Sequence, residues 1–348
     1  MLALKHLIVF IIMATHLLVV IGGCHRTLYK GIPSDHFDGR RFYNEEPDHT
    51  FGDMVKWLWE MDTVQWPKWI EDPPHPEPVE SVNNGNIRVT YINHATVLIQ
   101  MDGLNILTDP IWSDCAGPVS WMGSKRVRSP GVALKDLPRI DVILISHDHY
   151  DHLDVPSLKQ LSAQFQPLLL IGLGGNPFLD SKGFSNRVEM DWWQTYSHQF
   201  TGVTFTFVPA RHASGRGLWG RNKILWGGFV IEGAAGRVYF AGDTGYGRFL
   251  RSIHERFPDF RLTIFPIGNY EPRWFMKAQH MNPEDAVEAH LLLNSQQSLG
   301  IHFGTFAEHP EQTIDAHEKD LLEALKKYNV PSSEFWVLQF GEGREVTR

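Results

Sequence analysis

The apolar run Val142 to Ile145 leads directly into a segment that carries three histidines and two aspartates. His147 and His149 are two residues apart, so both side chains can point the same way from an extended backbone. Asp151 and His152 follow after a turn and can face a second ion. Imidazole and carboxylate groups bind zinc, iron or manganese, and two such half-sets side by side suit a dinuclear metal site.

Further residues of metal-binding type follow strand-like runs later in the chain. The alternating run 203–208 leads towards His212. The run 238–241 leads into Asp243, and the glycines on either side of this acid let the backbone turn sharply. A last run ends at His302. A lone histidine is more often a packed or capping residue, but the whole series in this order predicts metal binding.

This order of residues resembles the metallo-β-lactamase superfamily. The resemblance implies an α/β fold, a four-layer αβ/βα sandwich with two mixed sheets flanked by helices. It implies one group of ligands for each of two divalent ions: His147, His149 and His212 for the first, and Asp151, His152 and His302 for the second. Asp243 would bridge the two ions. Zinc is the expected metal, and iron or manganese would suit the same ligands.

Longer motifs between about residues 87 and 343 resemble one branch, the N-acylphosphatidylethanolamine-hydrolysing phospholipase D family. They lie at 93–97, 107–111, 144–147, 191–193, 225–227, 241–246 and, most specifically, 266–277. The implied reaction releases N-acylethanolamine and phosphatidic acid through a hydroxide that bridges the metals. Asp243 and His280 would be catalytic, and His280, Tyr270 and Arg273 would contact the substrate. The glycine-rich stretch 213–217 departs from the family pattern, so we expect substrate preference to diverge there.

Alternatives stay open at this stage. The same metal centre would suit another phosphodiester or a lactone, and a non-catalytic envelope lipoprotein belongs to a different class. His280 is equally explained as a structural histidine, and a salt bridge within its loop explains Arg273. Asp109, Asp148 and His94 are expected to support the ligand imidazoles by hydrogen bonds, although turn and cap roles are their ordinary interpretation.

Length, composition and charge indicate the number of domains and the kind of molecule that the protein binds. The chain has 348 residues, 43% of them hydrophobic, which suits one large domain or two of medium size. The formal net charge of -8 argues against nucleic acid as a partner, because phosphate contacts need clustered lysine and arginine. A membrane phospholipid is the expected substrate, and the family resemblance implies a homodimer.

The amino-terminal residues predict export and membrane attachment. An apolar stretch from Leu7 to Ile21 ends at Gly22-Gly23-Cys24, which resembles a bacterial lipobox. We therefore expect residues 1–24 to be a lipoprotein signal peptide, with Cys24 lipidated. The expected location is the cell envelope, at the periplasmic face of the outer membrane. An uncleaved amino-terminal membrane anchor is the alternative.

Residues 25–85 form the predicted amino-terminal extension, and residues 86–348 form the predicted hydrolase domain. The extension contains an aromatic amphipathic helix around residues 51–58 and a stiff proline-rich linker at 72–78. This helix suits either a bilayer interface or packing over the domain. From residue 87 the pattern predicts a strand meander with a tight Asp102-Gly103 turn, and later helices at 282–293 and 314–328.

Overall fold

Strands dominate the part of the chain that follows residue 86. The computed structural model describes residues 28–46, 49–217, 220–307 and 311–347. Within these ranges the strands are β1 Ile87–Asn93, β2 Thr96–Met101, β3 Leu104–Thr108, β4 Cys115–Val119, β5 Met122–Lys125, β6 Val142–Ile145, β7 Leu168–Gly172, β8 Arg187–Met190, β9 Thr195–Ser197, β10 Thr204–Val208, β11 Gly228–Gly233, β12 Gly236–Phe240, β13 Phe260–Pro266, β14 Ser295–Ile301, β15 Phe335–Trp336 and β16 Gly343–Val346. The α-helices are α1 Phe51–Glu60, α2 Val155–Phe165, α3 Gly175–Ser181, α4 Phe249–Arg256, α5 Arg273–Met276, α6 Pro283–Leu292 and α7 Ala316–Tyr328.

The strands form two seven-stranded sheets. The first has the order β16-β1-β2-β3-β6-β7-β8, and the second has the order β15-β14-β13-β12-β11-β10-β9. Both are mixed, because β3, β6, β7 and β8 run parallel in the first and β12 to β15 run parallel in the second. The predicted meander is confirmed, with Asp102 and Gly103 at φ +50° and +78° in the β2–β3 turn.

The main hydrophobic core lies between the two sheets. Alternate residues of a strand point to opposite faces, so Val142 and Leu144 of β6 join the core shared with Phe205 and Phe207 of β10. The other face of β6 packs in a second cluster with Leu158 and Leu161 of α2. Helices α6 and α7 pack against each other, and α6 packs on β13 and β14. This layering confirms the predicted sandwich.

Helix boundaries follow the capping residues. Asn282 caps α6 in a capping box with Asp285, and Pro283 occupies the first turn, as the sequence predicts. The predicted helix 314–328 starts two residues later, at Ala316. Thr50 caps α1 in the same way, and Trp57 of α1 stacks on Phe275 of α5 with ring centroids 4.8 Å apart. Helix α1 therefore packs over the domain.

The amino-terminal extension shares the main core. Phe37 and Phe42 are 2% and 1% exposed and belong to the cluster between the sheets. Trp66 donates to the carbonyl of Gln312 at 2.9 Å, further along the extension. Cys24 and the rest of the predicted signal peptide lie outside the described residues. Among the residues that are described, no helix is both long and apolar enough to cross a bilayer.

Candidate metal centre

The ends of four core strands meet at one edge of the sandwich. The loop after β6 carries the histidine segment, β10 leads to His212, β12 leads to Asp243 and β14 ends beside His302. Tight backbone turns bring these residues together. His302 has φ +66°, and Gly242 has φ +62° where a Cβ would lie 2.5 Å from that of Ser146.

Three histidines of the first predicted group surround one point. Nε2 of His147 lies 2.9 Å from Nδ1 of His149, and Nε2 of His212 lies 3.3 Å from the same Nδ1. The outer nitrogens of two rings are occupied, since Nδ1 of His147 contacts the Ser146 hydroxyl at 2.9 Å and Nδ1 of His212 contacts the Gln279 carbonyl at 3.1 Å. Each of these two rings therefore presents Nε2 to the common point.

The second predicted group surrounds Asp243. Its Oδ2 lies 3.2 Å from Nε2 of His152, 3.0 Å from Nε2 of His302 and 3.8 Å from Nε2 of His212. Asp151 Oδ2 lies 3.2 Å from the same His152 nitrogen. Asp243 thus stands between the two groups, where a bridging carboxylate would be. All seven predicted ligands are brought together.

The donor set fits metal ions. Nε2 of His152, Nε2 of His302 and Oδ1 of Asp243 are buried atoms that make no hydrogen bond of good geometry with the described residues, although carboxylate oxygens lie close to both histidine nitrogens. Burial lowers the pKa of His147 and His212 well below its ordinary value, which favours the neutral form that binds metal. Burial opposes charge on His302 too, but the carboxylates of Asp243 and Asp151 together outweigh it and raise the pKa of His302 to about 9. Bound cations would supply the positive charge that these carboxylates attract.

Buried hydrogen bonds hold the ligands in place. Asp109 accepts from Nδ1 of His152 at 2.7 Å and from the Ser146 amide at 2.8 Å, which leaves Nε2 of His152 facing the cleft. Nε2 of His94 contacts Asp151 Oδ2 at 2.7 Å, and burial, helped by His302, lowers the pKa of His94 to about 3. The supporting roles predicted for Asp109 and His94 match this geometry. Asp148 contacts no ligand ring and accepts instead from the Gly215 amide.

Of the three residues predicted to contact the substrate, one lines the cleft and two do not. His280 lines the cleft, with its Nδ1 4.0 Å from Asp243 Oδ2. Tyr270 does not, because its side chain is buried and its hydroxyl donates to Asp320 of α7. Arg273 also points away, since it pairs with Asp285 and donates to the His280 carbonyl at 2.9 Å. Tyr270 and Arg273 therefore do not face this cleft, so their contacts with substrate stay predictions, and Arg273 anchors the backbone of His280.

Other residues line the cleft beside the ligands. They are Ala116, Tyr150, Asn269 and Gln279. The sequence motifs contain Tyr150 and Asn269, but nothing in their spacing marks them as cleft residues. Asn269 has φ +56°, a value that asparagine tolerates better than most residues, and this turns the chain towards the cleft. A buried contact from Asn44 to His212 also has no signal in the sequence.

Comparison with known proteins agrees with this geometry. The family model described as a β-lactamase superfamily domain matches residues 104–303. The chain belongs to the metallo-β-lactamase superfamily. A metallo hydrolase from the hyperthermophilic archaeon Ignicoccus hospitalis has the same fold, with a TM-score of 0.57 and 19% identity over 76% of this chain and 99% of that one.

The branch indicated by the sequence motifs is confirmed by two relatives. The chain is 41% identical over 226 residues to N-acyl-phosphatidylethanolamine-hydrolyzing phospholipase D 1 of Caenorhabditis elegans, covering 62% of this chain and 64% of that protein. It is 35% identical over 245 residues to the mitochondrial enzyme of that name from Saccharomyces cerevisiae, covering 69% and 52%. The chain thus spans less than two thirds of the length of these relatives.

Proposed function

We propose that this protein is a metal-dependent phosphodiesterase of the phospholipase D type. Its substrate would be N-acylphosphatidylethanolamine, and its products N-acylethanolamine and phosphatidic acid. The observation that carries the proposal is the convergence of seven ligand side chains, six of them buried, at one cleft, in a chain whose relatives carry the name of this activity.

Two divalent ions, zinc by preference, would be held by the two ligand groups. Bound there, they would polarise the phosphate and lower the pKa of water towards neutrality. Asp243 fixes the spacing of the two groups, because its carboxylate reaches towards histidines of both. Asp109 holds the tautomer of His152 through the 2.7 Å contact at Nδ1.

His280 is the group placed for the leaving oxygen. Burial lowers the pKa of His280 to about 4, so the imidazole is neutral at pH 7. Its buried Nδ1 has no hydrogen-bond partner among the described residues and lies near Asp243. In the hydrolysis, water adds its oxygen to phosphorus and the bond from phosphorus to the N-acylethanolamine oxygen breaks. His280 would hydrogen-bond to that oxygen as it takes up a proton.

A membrane location is part of the proposal. Lipidation at Cys24 would hold the protein at the cell envelope, with the outer membrane as the preferred site. Trp121, 73% exposed, and Met122, 48% exposed, lie at the tip of the β4–β5 hairpin. Ala116 at the base of this hairpin lines the metal cleft. Exposed tryptophan suits a bilayer interface, which supports a phospholipid as the substrate. A homodimer is proposed on family resemblance alone.

The test is lipid product analysis of the protein from His25 onward, with N-acylphosphatidylethanolamine in detergent micelles. The matched control is the His147→Ala, His149→Ala double variant, and metal content is measured for both by mass spectrometry. We expect metal-dependent release of both products by the parent and none by the variant. Bound metal without release would redirect the search to other phosphodiesters and lactones. Absence of both metal and turnover would favour a non-catalytic lipoprotein.

A further inference from the structure

Asn44 of the amino-terminal extension makes two hydrogen bonds to the backbone of His212. Its amide nitrogen donates to the His212 carbonyl at 2.7 Å, and its amide oxygen accepts from the His212 amide at 3.2 Å. One side chain thereby satisfies both backbone groups of a predicted metal ligand, as a neighbouring strand would. The indole N–H of Trp226 is shared between the Ala210 carbonyl at 3.0 Å and this Asn44 oxygen at 3.2 Å, and so favours this orientation of the Asn44 amide.

His212 has need of such support. Strand β10 ends at Val208, four positions earlier, and the glycine-rich stretch 213–217 follows. The backbone of His302, by contrast, directly follows β14 and donates to the His94 carbonyl at 2.8 Å within the domain. His212 is 1% exposed, so water has little access to replace a lost hydrogen bond.

The position of Asn44 is itself well fixed. Phe42 is buried in the main core, and its amide donates to the Asn222 carbonyl at 2.8 Å. Two residues beyond Asn44, Glu46 pairs with Arg211 at 3.2 Å, next to His212 in the chain. The segment 42–46 therefore runs along the His212 loop and is held on both sides of Asn44.

We infer that Asn44 is a positioning residue of the metal centre, and that the amino-terminal extension completes the metal site. Asn44 touches neither the cleft nor a ligand ring. It sets the backbone of His212 so that the imidazole meets His147 and His149. The inference rests on the proposed metal centre, because its effect is on ion binding at the group that contains His212.

The test compares zinc binding by the parent and by Asn44→Ala, each stripped of metal and titrated with zinc against a chelator of known affinity. Native mass spectrometry counts the bound ions. We expect one of the two ions to bind about 10- to 100-fold more weakly in the variant, the usual effect of losing a residue that orients a ligand. Tyr43→Phe is the matched control, since Tyr43 lies on the same segment, bonds to Ser34 and should leave zinc affinity unchanged.

A second variant protects the test against misfolding. Asn44→Ser keeps a hydroxyl that can bond to one of the two freed backbone groups but not to both, so it should fold if Asn44→Ala does not, and it should lose affinity in the same direction. Thermal unfolding of the metal-free proteins is measured in parallel. Parent-like binding of both ions by the variants would overturn the inference, even if unfolding shifts, since Asn44 would then be structural only. A parent that binds no zinc would refute the metal centre itself.

Discussion

In the half of the cleft that contains His152, the supporting carboxylate comes from within the sandwich. Asp109 directly follows β3, the parallel neighbour of β6, and bonds both to Nδ1 of His152 and to the amide of Ser146. In the half that contains His212, the Gln279 carbonyl contacts the ring, but the backbone is held by Asn44, 168 positions earlier in the chain. One half is held by neighbouring strands and the other by a segment that packs on from outside.

This difference predicts that the two ions respond differently to changes in the extension. In the first half, the pairing of β3 with β6 places Asp109 and His152 at adjacent strand ends. In the other half, the backbone of His212 is bonded to an extension that is anchored in the core by Phe37 and Phe42. A variant that loosens the extension should therefore weaken the binding of one ion more than that of the other. A variant of Asp243, which lies between the two groups, should weaken the binding of both ions.

The largest effect is expected where the halves meet. Asp243→Asn keeps the size of the side chain but removes the charge that faces His152, His212 and His302. We expect loss of both ions and a fall in phosphodiesterase turnover beyond the ~100-fold that marks the upper end for outer-shell residues. Turnover and metal content are measured on the same sample. Unchanged turnover would refute a bridging role for Asp243.

Asp109→Ala acts mainly on the half that contains His152. Nδ1 of His152, the Ser146 amide and the Ser146 hydroxyl lose a buried acceptor, so we expect about 10- to 100-fold weaker binding of the ion held by His152. The other ion should be weakened less, because the Ser146 hydroxyl also contacts His147. The unfolding free energy should also fall by about 1–3 kcal/mol, the penalty for unsatisfied buried groups. Asp141→Ala is the control, because Asp141 accepts from the Asn105 amide at the opposite end of β6. If Asp109→Ala and Asp141→Ala lost equal affinity for the ion, Asp109 would act only on the stability of the fold.

The sequence predicted the ligands that follow β6 better than the residues that support His212. His147, His149, Asp151 and His152 are close together in the chain, and a strand that ends in such a segment presents its side chains at one sheet edge. Asn44 gave no signal, because its partner is distant in the chain and asparagine in a loop is ordinary. The orientation of Tyr270 and Arg273 was missed for a related reason. A motif marks polar residues, but only the contacts of Tyr270 with Asp320 and of Arg273 with Asp285 show that these side chains point away from the cleft.

A smaller effect is expected from a residue that holds His280 without belonging to either half. Arg273→Ala removes the donor to the His280 carbonyl, and Asp285 loses the arginine of its ion pair. We expect turnover to fall about tenfold through misplacement of His280, with both ions still bound. Arg344→Ala is the control, since Arg344 pairs with Glu342 near the surface. Loss of metal in Arg273→Ala would place its effect on the metal centre and contradict the role given to His280.

The smallest effect concerns the attachment of the extension. His36 lies between two carboxylates, with Nε2 2.8 Å from Asp191 and Nδ1 2.6 Å from Asp35. Burial by itself would lower the pKa of His36, but the hydrogen bonds to Asp191 and Asp35 outweigh it and raise the pKa. A folded-state pKa above the unfolded value of about 6.5 means that protonated His36 stabilises the fold.

That contribution is complete below the unfolded pKa and is lost as pH rises through the raised folded pKa. His36→Gln should therefore cost most at about pH 6 and least at about pH 9. Since Asp35 is 92% exposed, we expect the difference in unfolding free energy to stay below about 1 kcal/mol. Urea unfolding at both pH values measures it, with His75→Gln, which removes a partly buried histidine bonded to Gln339, as the control. A cost that grows with pH would mean that His36 is neutral in the fold and attaches the extension by packing on Trp192 instead.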